Sequence, residues 1–178
     1  MAFIPEIPPE RADPGLGQSY NQIREVFGFL PHFWQAQGSR PDVVQAGLEY
    51  WRTIYQTGKV SPALKEKIGL VVSAANVSSY CIMAHLELLS RLGVDKTLGR
   101  QLTRDYETAD APKREKAVFR FAEKVTREPF KIKEPDIADL RRHGWDDEAI
   151  LEICLVASHF NFLNRLAASL GVIPEHAF

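Results

Sequence analysis

A thiol and an imidazole stand one helical turn apart in the stretch Ser78-Ser79-Tyr80-Cys81-Ile82-Met83-Ala84-His85. Ser78 or Ser79 is suited to cap a helix, and Cys81, His85, Leu88, Leu89 and Leu92 then recur at the spacing of one buried face. A cysteine in the first turn meets the positive end of the helix dipole, and an imidazole one turn on can take its proton. Both effects favour the thiolate, the nucleophilic form. The same spacing also suits a small core cysteine beside a histidine held by a backbone carbonyl, and spacing alone does not choose. As metal ligands the two residues make only half a site, with no CxxC or HxxxH to complete it. No metal or cofactor is expected.

The elements that must position this pair read as helices. Pro41 opens one with Val44, Leu48, Trp51 and Tyr55 on its apolar face and Gly58 as its stop. Ser61-Pro62 opens the next, with the stripe Leu64, Ile68, Val71, Val72 and Ala75. Glu66 lies opposite that stripe, in line with Gly69 and Ser73, so this helix taken alone predicts a solvated Glu66. The chain breaks near Asn76-Val77 and enters the Cys81 helix, which Gly93 ends. Shorter helices are predicted over 96–106, from Ala111-Pro112 (Ala117, Val118, Phe121, Ala122, Val125 inward) and over 136–143. Asp146 or Asp147 then caps a long last helix.

On that last helix Ile150, Cys154, Ala157, Asn161, Asn164 and Ala168 share a face. Two amides on an apolar stripe need partners if buried. They hold His85, line a pocket, or bond backbone at a helix crossing. His159 lies off that face as a pocket group or a surface residue, and Cys154 reads as core packing. Residues 1–17, with Pro5, Pro8, Pro9 and Pro14, read as an extended arm that is loose or lies on a neighbouring subunit; 18–178 read as one helical domain. His32-Phe33-Trp34 reads as core or subunit interface. No segment alternates like a strand, so the chain is all-α. Leu70-Val71-Val72-Ser73 echoes Leu155-Val156-Ala157-Ser158, and Leu92-Gly93-Val94 echoes Leu170-Gly171-Val172. The matches suggest either a repeated helix pair or coincidence.

With 178 residues, 45% of them hydrophobic, and a formal net charge of -1 from mixed charges, the chain suits one compact domain with a sizeable core. That charge argues against nucleic acid or an anionic membrane as partner. Two cysteines, no secretory signal and no apolar run long enough to span a bilayer fit a cytoplasmic setting.

Glu66, Cys81 and His85 together resemble the signature of the alkylhydroperoxidase (AhpD)-like branch of the carboxymuconolactone decarboxylase superfamily. That signature is a Glu, a CxxC about a dozen residues on, and a His four residues after the second Cys. Phe160-Asn161-Phe162-Leu163-Asn164-Arg165 resembles the peroxidase-related subgroup, and the likeness covers most of the chain beyond the arm. The resemblance implies an all-helical homo-oligomer (dimer, trimer or hexamer). It also implies a thiol peroxidase in which Cys81 attacks the peroxide, His85 is the nearest base and Glu66 the outer member of the relay. The first cysteine of the motif is Ser78 here, so the two-cysteine cycle cannot close within the motif. An external thiol, or an approaching Cys154, must then reduce the oxidised Cys81. Ser78 is left as a cap or as a hydrogen-bond donor to the thiolate. Two other functions use the same residues: a lyase of the decarboxylase branch with His85 and Glu66 as acid and base, and a non-catalytic protein that binds a small molecule. Tyr80, Asn161, Asn164 and His159 are the supporting candidates.

Overall fold

The computed structural model describes residues 2–174, and the chain is all-α, with no strand among them. Met1 and residues 175–178, at the outer ends of the expected arm and domain, lie outside the described residues. The helices are α1 (Pro14–Phe27), α2 (His32–Gln35), α3 (Pro41–Gln56), α4 (Pro62–Ala75), α5 (Ser79–Arg91), α6 (Lys96–Arg104), α7 (Lys113–Arg127), α8 (Glu134–Arg142) and α9 (Asp147–Leu170). The backbone divides into two compact units, one of Ile54–Arg165 and one of the described residues up to Thr53 and from Leu166.

In the unit that holds the N-terminus, α1 begins at Pro14, inside the 1–17 stretch expected to be an extended arm. Asp13 accepts a hydrogen bond from the Leu16 N–H at 2.9 Å and Pro14 takes the first helical position. This cap and proline outweigh the two glycines of the first turn. The arm before it is hydrogen-bonded to its own chain. Phe3 N–H donates to the Leu170 carbonyl (2.7 Å), Ile7 N–H to the Gln35 carbonyl (3.0 Å) and the Tyr20 hydroxyl to the Ile7 carbonyl (2.8 Å). His32, read as part of an aromatic cluster, meets the Glu6 carboxylate at 2.8 Å through Nδ1.

In the other unit α4 is the central element, packed against α5, α6 and α7. Ser61 caps it and Pro62 is its first residue, as the sequence predicts. Because neighbours cover it on several sides, nearly every residue from Leu64 to Ser73 is buried, charged ones included. Lys65 is fully buried. Its ammonium donates to the Thr57 carbonyl (2.6 Å) and pairs with Glu152 of α9, whose other oxygen accepts the Lys59 and Val60 N–H groups (2.8 and 3.0 Å). Removing one partner of such a buried pair costs about 3–5 kcal/mol, so this link fixes α4 against the loop that precedes it.

The break between α4 and α5 is sharp. Val77 adopts φ 55°, a left-handed conformation that is unusual for a β-branched residue, and its side chain is exposed. The Ser78 N–H donates back to the Ser73 carbonyl at 2.9 Å, closing the turn from which α5 starts. The two Leu-Gly-Val matches are helix stops of one kind. Gly93 and Gly171 have φ 77° and 62°, and Val94 and Val172 donate to the carbonyls of Leu89 and Ala167, each at 3.0 Å. A left-handed glycine with this bond ends helices of any origin.

Candidate functional site

The site is built where α4, α5 and α9 meet within the Ile54–Arg165 unit. Glu66, expected from its own helix to be solvated, is 7% exposed, and its Oε2 lies 2.7 Å from Nδ1 of the buried His85. The helical-wheel reading fails because α4 is covered on the face opposite its apolar stripe as well, and α5 brings an imidazole to that face. A carboxylate can only accept, so His85 donates from Nδ1 and its neutral ring keeps the basic lone pair on Nε2. The ring is held from the side by Phe160, edge to face at 4.4 Å between centroids. Gly69 makes room for both rings, since a β-carbon there would lie 2.6 Å from Phe160 and 2.7 Å from His85.

Cys81 sits one turn before His85 on the same face of α5, a spacing that puts Cβ atoms about 5–6 Å apart. It is a free thiol and 6% exposed. Burial pushes its acidity to the weak side of an ordinary cysteine, opposed in part by hydrogen bonds from the Ser78 hydroxyl and the Asn164 amide. Burial thus opposes the thiolate that the cysteine's place in the helix favours. Ser78 occupies the cap position of α5, but its hydroxyl does not bond the helix N–H groups; it is instead one of the groups that favour the Cys81 anion.

Asn161 and Asn164 join a side-chain network rather than holding His85, whose partner is Glu66. Asn76 Nδ2 donates to Oδ1 of both Asn161 and Asn164, each at 3.0 Å. Asn164, 1% exposed, donates to Ser73 Oγ at 3.1 Å. Asn161 donates to Thr126 Oγ1 (2.9 Å) and the Ala157 carbonyl (3.0 Å), and accepts from the Arg165 guanidinium at 2.6 Å.

His159 is buried, with its ring against Tyr55 and Phe162 (6.2 and 6.0 Å between centroids), and burial lowers its pKa to about 4. Tyr80 is half-buried in the first turn of α5, and Cys154 is a half-buried free thiol whose acidity burial also weakens.

The structure thus joins Glu66 to His85 and Ser78 and Asn164 to Cys81, and adds Asn76, Gly69 and Phe160, which the sequence reading named without placing them in the site. An Asn at a helix break looks like an ordinary terminator, and a glycine opposite the apolar stripe or a phenylalanine on the last helix gives no sign of which side chain it touches. An open cleft of about 350 Å³ lies elsewhere, between α4, α6 and α7. In its lining Tyr106 donates to Glu123 and Arg127 to the same carboxylate, and Cys81, His85 and Glu66 are not part of it.

The carboxymuconolactone decarboxylase family model matches residues 41–124. Among solved structures, an alkylhydroperoxidase AhpD core, peroxidase-related protein from Ralstonia eutropha JMP134 is 27% identical over 98% of this chain and 93% of its own, with a TM-score of 0.92. A peroxidase-related protein from Silicibacter sp. TM1040 is 29% identical over 96% and 90%, TM-score 0.87. A cysteine-to-alanine variant of the debrominase Bmp8, solved with 2,3,4-tribromopyrrole, shares the fold at TM-score 0.81 and 24% identity over 92% and 87%. No curated protein matches the sequence. Among the described residues no helix is long and apolar enough to cross a membrane.

Proposed function

We propose that this chain, similar to the carboxymuconolactone decarboxylase family over residues 41–124 and to AhpD-like peroxidase-related proteins in fold, is a thiol peroxidase working through the single cysteine Cys81. The observation that carries this reading is the buried Glu66–His85 hydrogen bond one turn from a buried free thiol. A weakly acidic cysteine needs a base at the moment of attack, and an imidazole oriented by a carboxylate supplies one.

His85 Nε2 takes the thiol proton, and the charge this leaves on the ring is stabilised by the Glu66 carboxylate. The Cys81 sulfur attacks the terminal oxygen of a hydroperoxide. The S–O bond forms as the O–O bond breaks, and the leaving alkoxide takes the proton back from His85. Cys81 is oxidised to the sulfenic acid and the hydroperoxide is reduced to an alcohol. With serine at position 78, two external thiols complete the cycle. The first condenses with the sulfenic acid to a mixed disulfide and releases water; the second displaces Cys81 as the disulfide of the two reductants leaves. The working form is a homo-oligomer.

Cys81→Ser is expected to abolish hydroperoxide consumption in the presence of a dithiol, and His85→Ala to lower it by about 10²-fold or more, the usual share of general-base catalysis. Equal turnover by wild type and Cys81→Ser would overturn the proposal. A chemistry lost in His85→Ala but kept in Cys81→Ser would point instead to acid–base action on a carbonyl substrate.

A further inference from the structure

We propose that Asn76 is a positioning residue for Cys81: it locks the Asn164 amide in the one orientation that turns its NH₂ group, not its oxygen, to the cysteine sulfur. The inference deepens the thiol-peroxidase reading of the same site and rests on it only for the use to which the thiolate is put.

The argument is one of donors and acceptors. The Arg165 guanidinium can only donate and the Ala157 carbonyl can only accept. Between them, at 2.6 and 3.0 Å, they fix which end of the Asn161 amide is oxygen and which is nitrogen. Asn161 Oδ1 then faces Asn76 at 3.0 Å, so Asn76 must present its NH₂ group there, and the same NH₂ group reaches Asn164 Oδ1 at 3.0 Å. With its oxygen claimed, Asn164 has only its two N–H bonds to offer elsewhere. One goes to Ser73 Oγ at 3.1 Å and the other meets the Cys81 sulfur.

A side-chain amide is nearly symmetric in shape, so nothing in the packing of Asn164 alone prevents it from turning over. Turned over, it would set a carbonyl oxygen against the sulfur at the moment negative charge develops. Asn76 stands at the end of α4, where the chain turns into α5, and it therefore ties the orientation of a residue on α9 to the break that creates the first turn of the Cys81 helix.

The test uses the full chain with Cys154→Ala, so that Cys81 is its sole cysteine, and follows alkylation by iodoacetamide over about pH 6 to 11. Asn76→Leu keeps the branched shape, adds no charge and removes the donor. It is expected to raise the apparent Cys81 pKa by about one unit and slow alkylation at pH 8 about tenfold. Asn164→Ala is expected to do the same, and adding Asn76→Leu to Asn164→Ala to change the rate by less than about twofold, because Asn76 acts only through Asn164. Alkylation of Asn76→Leu at the wild-type rate, or effects of the two variants that multiply, would overturn the proposal. Should Asn76→Leu fail to fold, Asn76→Ala carries the same expectations. A wild-type Cys81 that alkylates under control of Asn76 yet reduces no hydroperoxide would remove the proposed function and leave this inference standing. Peroxide turnover indifferent to Asn76 would do the reverse.

Discussion

At Cys81 two opposed effects decide how the chemistry begins. Burial disfavours the anion, while the Ser78 hydroxyl and the Asn164 amide favour it. The first is the larger, so the proposed attack needs a base, and His85 stands one turn away on the same helix. Ser78 also stands where a resolving cysteine would belong. Three residues apart at the start of a helix, positions 78 and 81 have their Cα atoms within the roughly 4.4–6.8 Å that a disulfide spans. Ser78→Cys is therefore expected to form an intramolecular disulfide after one equivalent of hydrogen peroxide, read by mass spectrometry as a loss of two hydrogens and of both alkylatable motif thiols. A variant that stops at sulfenic acid would show that the first turn of α5 is too rigid to close. Cys81 and His85 were legible because they are neighbours in sequence on one helix face. The roles of Ser78 and Asn164 were legible only as choices among alternatives, since a sequence does not say which of several partners a hydroxyl or an amide meets.

At the scale of elements, the site depends on how closely α4, α5 and α9 approach. Gly69 sets that distance, because its missing side chain is the space in which the His85 and Phe160 rings sit. Gly69→Ala is expected to destabilise the fold by about 1–3 kcal/mol through overpacking, despite alanine's better helix propensity. Turnover is expected to fall further than the loss of folded protein explains, because the methyl group displaces His85 from Glu66. Urea unfolding measured beside the peroxidase rate checks both, and a more stable, fully active variant would contradict this packing. Helix positions and caps could be read from proline, serine and aspartate signals: Ser61-Pro62 and Pro41 start helices as expected. The polarity pattern misled at α4. A helix covered by several neighbours has no solvent face, so Lys65 and Glu66 are buried, each against an opposite partner from another helix, and those partners lie 87 and 19 residues away. Pairings at such separations are tertiary facts, outside the reach of local periodicity.

For the molecule as a whole, the buried imidazole of His159 links stability to acidity. Its pKa is lowered to about 4 from 6.5 by burial, so between those values the unfolded chain binds a proton that the folded chain does not. Stability is therefore expected to rise with pH across that window and to be lost as pH falls from about 6.5 towards 4, by at most about 3 kcal/mol from this residue. His159→Phe keeps an aromatic ring beside Tyr55 and Phe162 and removes the proton site. Its unfolding free energy should depend less steeply on pH over the same window, and equal slopes in the two proteins would contradict a neutral buried His159. Helical periodicity and the absence of strand alternation gave the all-helical class correctly at this scale, but local patterns have a limit. They could not show that the arm is tied down by its own chain, since the bonds that do so join backbone groups of Phe3 and Ile7 to residues far along the chain.

The central claim, that Cys81 is a peroxide-reducing nucleophile served by His85 and Glu66, is tested most directly by trapping its sulfenic acid. The protein, with Cys154→Ala, is mixed with hydrogen peroxide and a dimedone probe, and the rate of labelling at Cys81 is followed by mass spectrometry in three forms: His85 intact, His85→Ala and Glu66→Gln. The structure predicts labelling of Cys81, slowed by about 10²-fold in His85→Ala and by a smaller factor in Glu66→Gln, which keeps a hydrogen-bond acceptor but loses the charge. Labelling at the same rate in all three forms, or none in the protein with His85 intact, would contradict it.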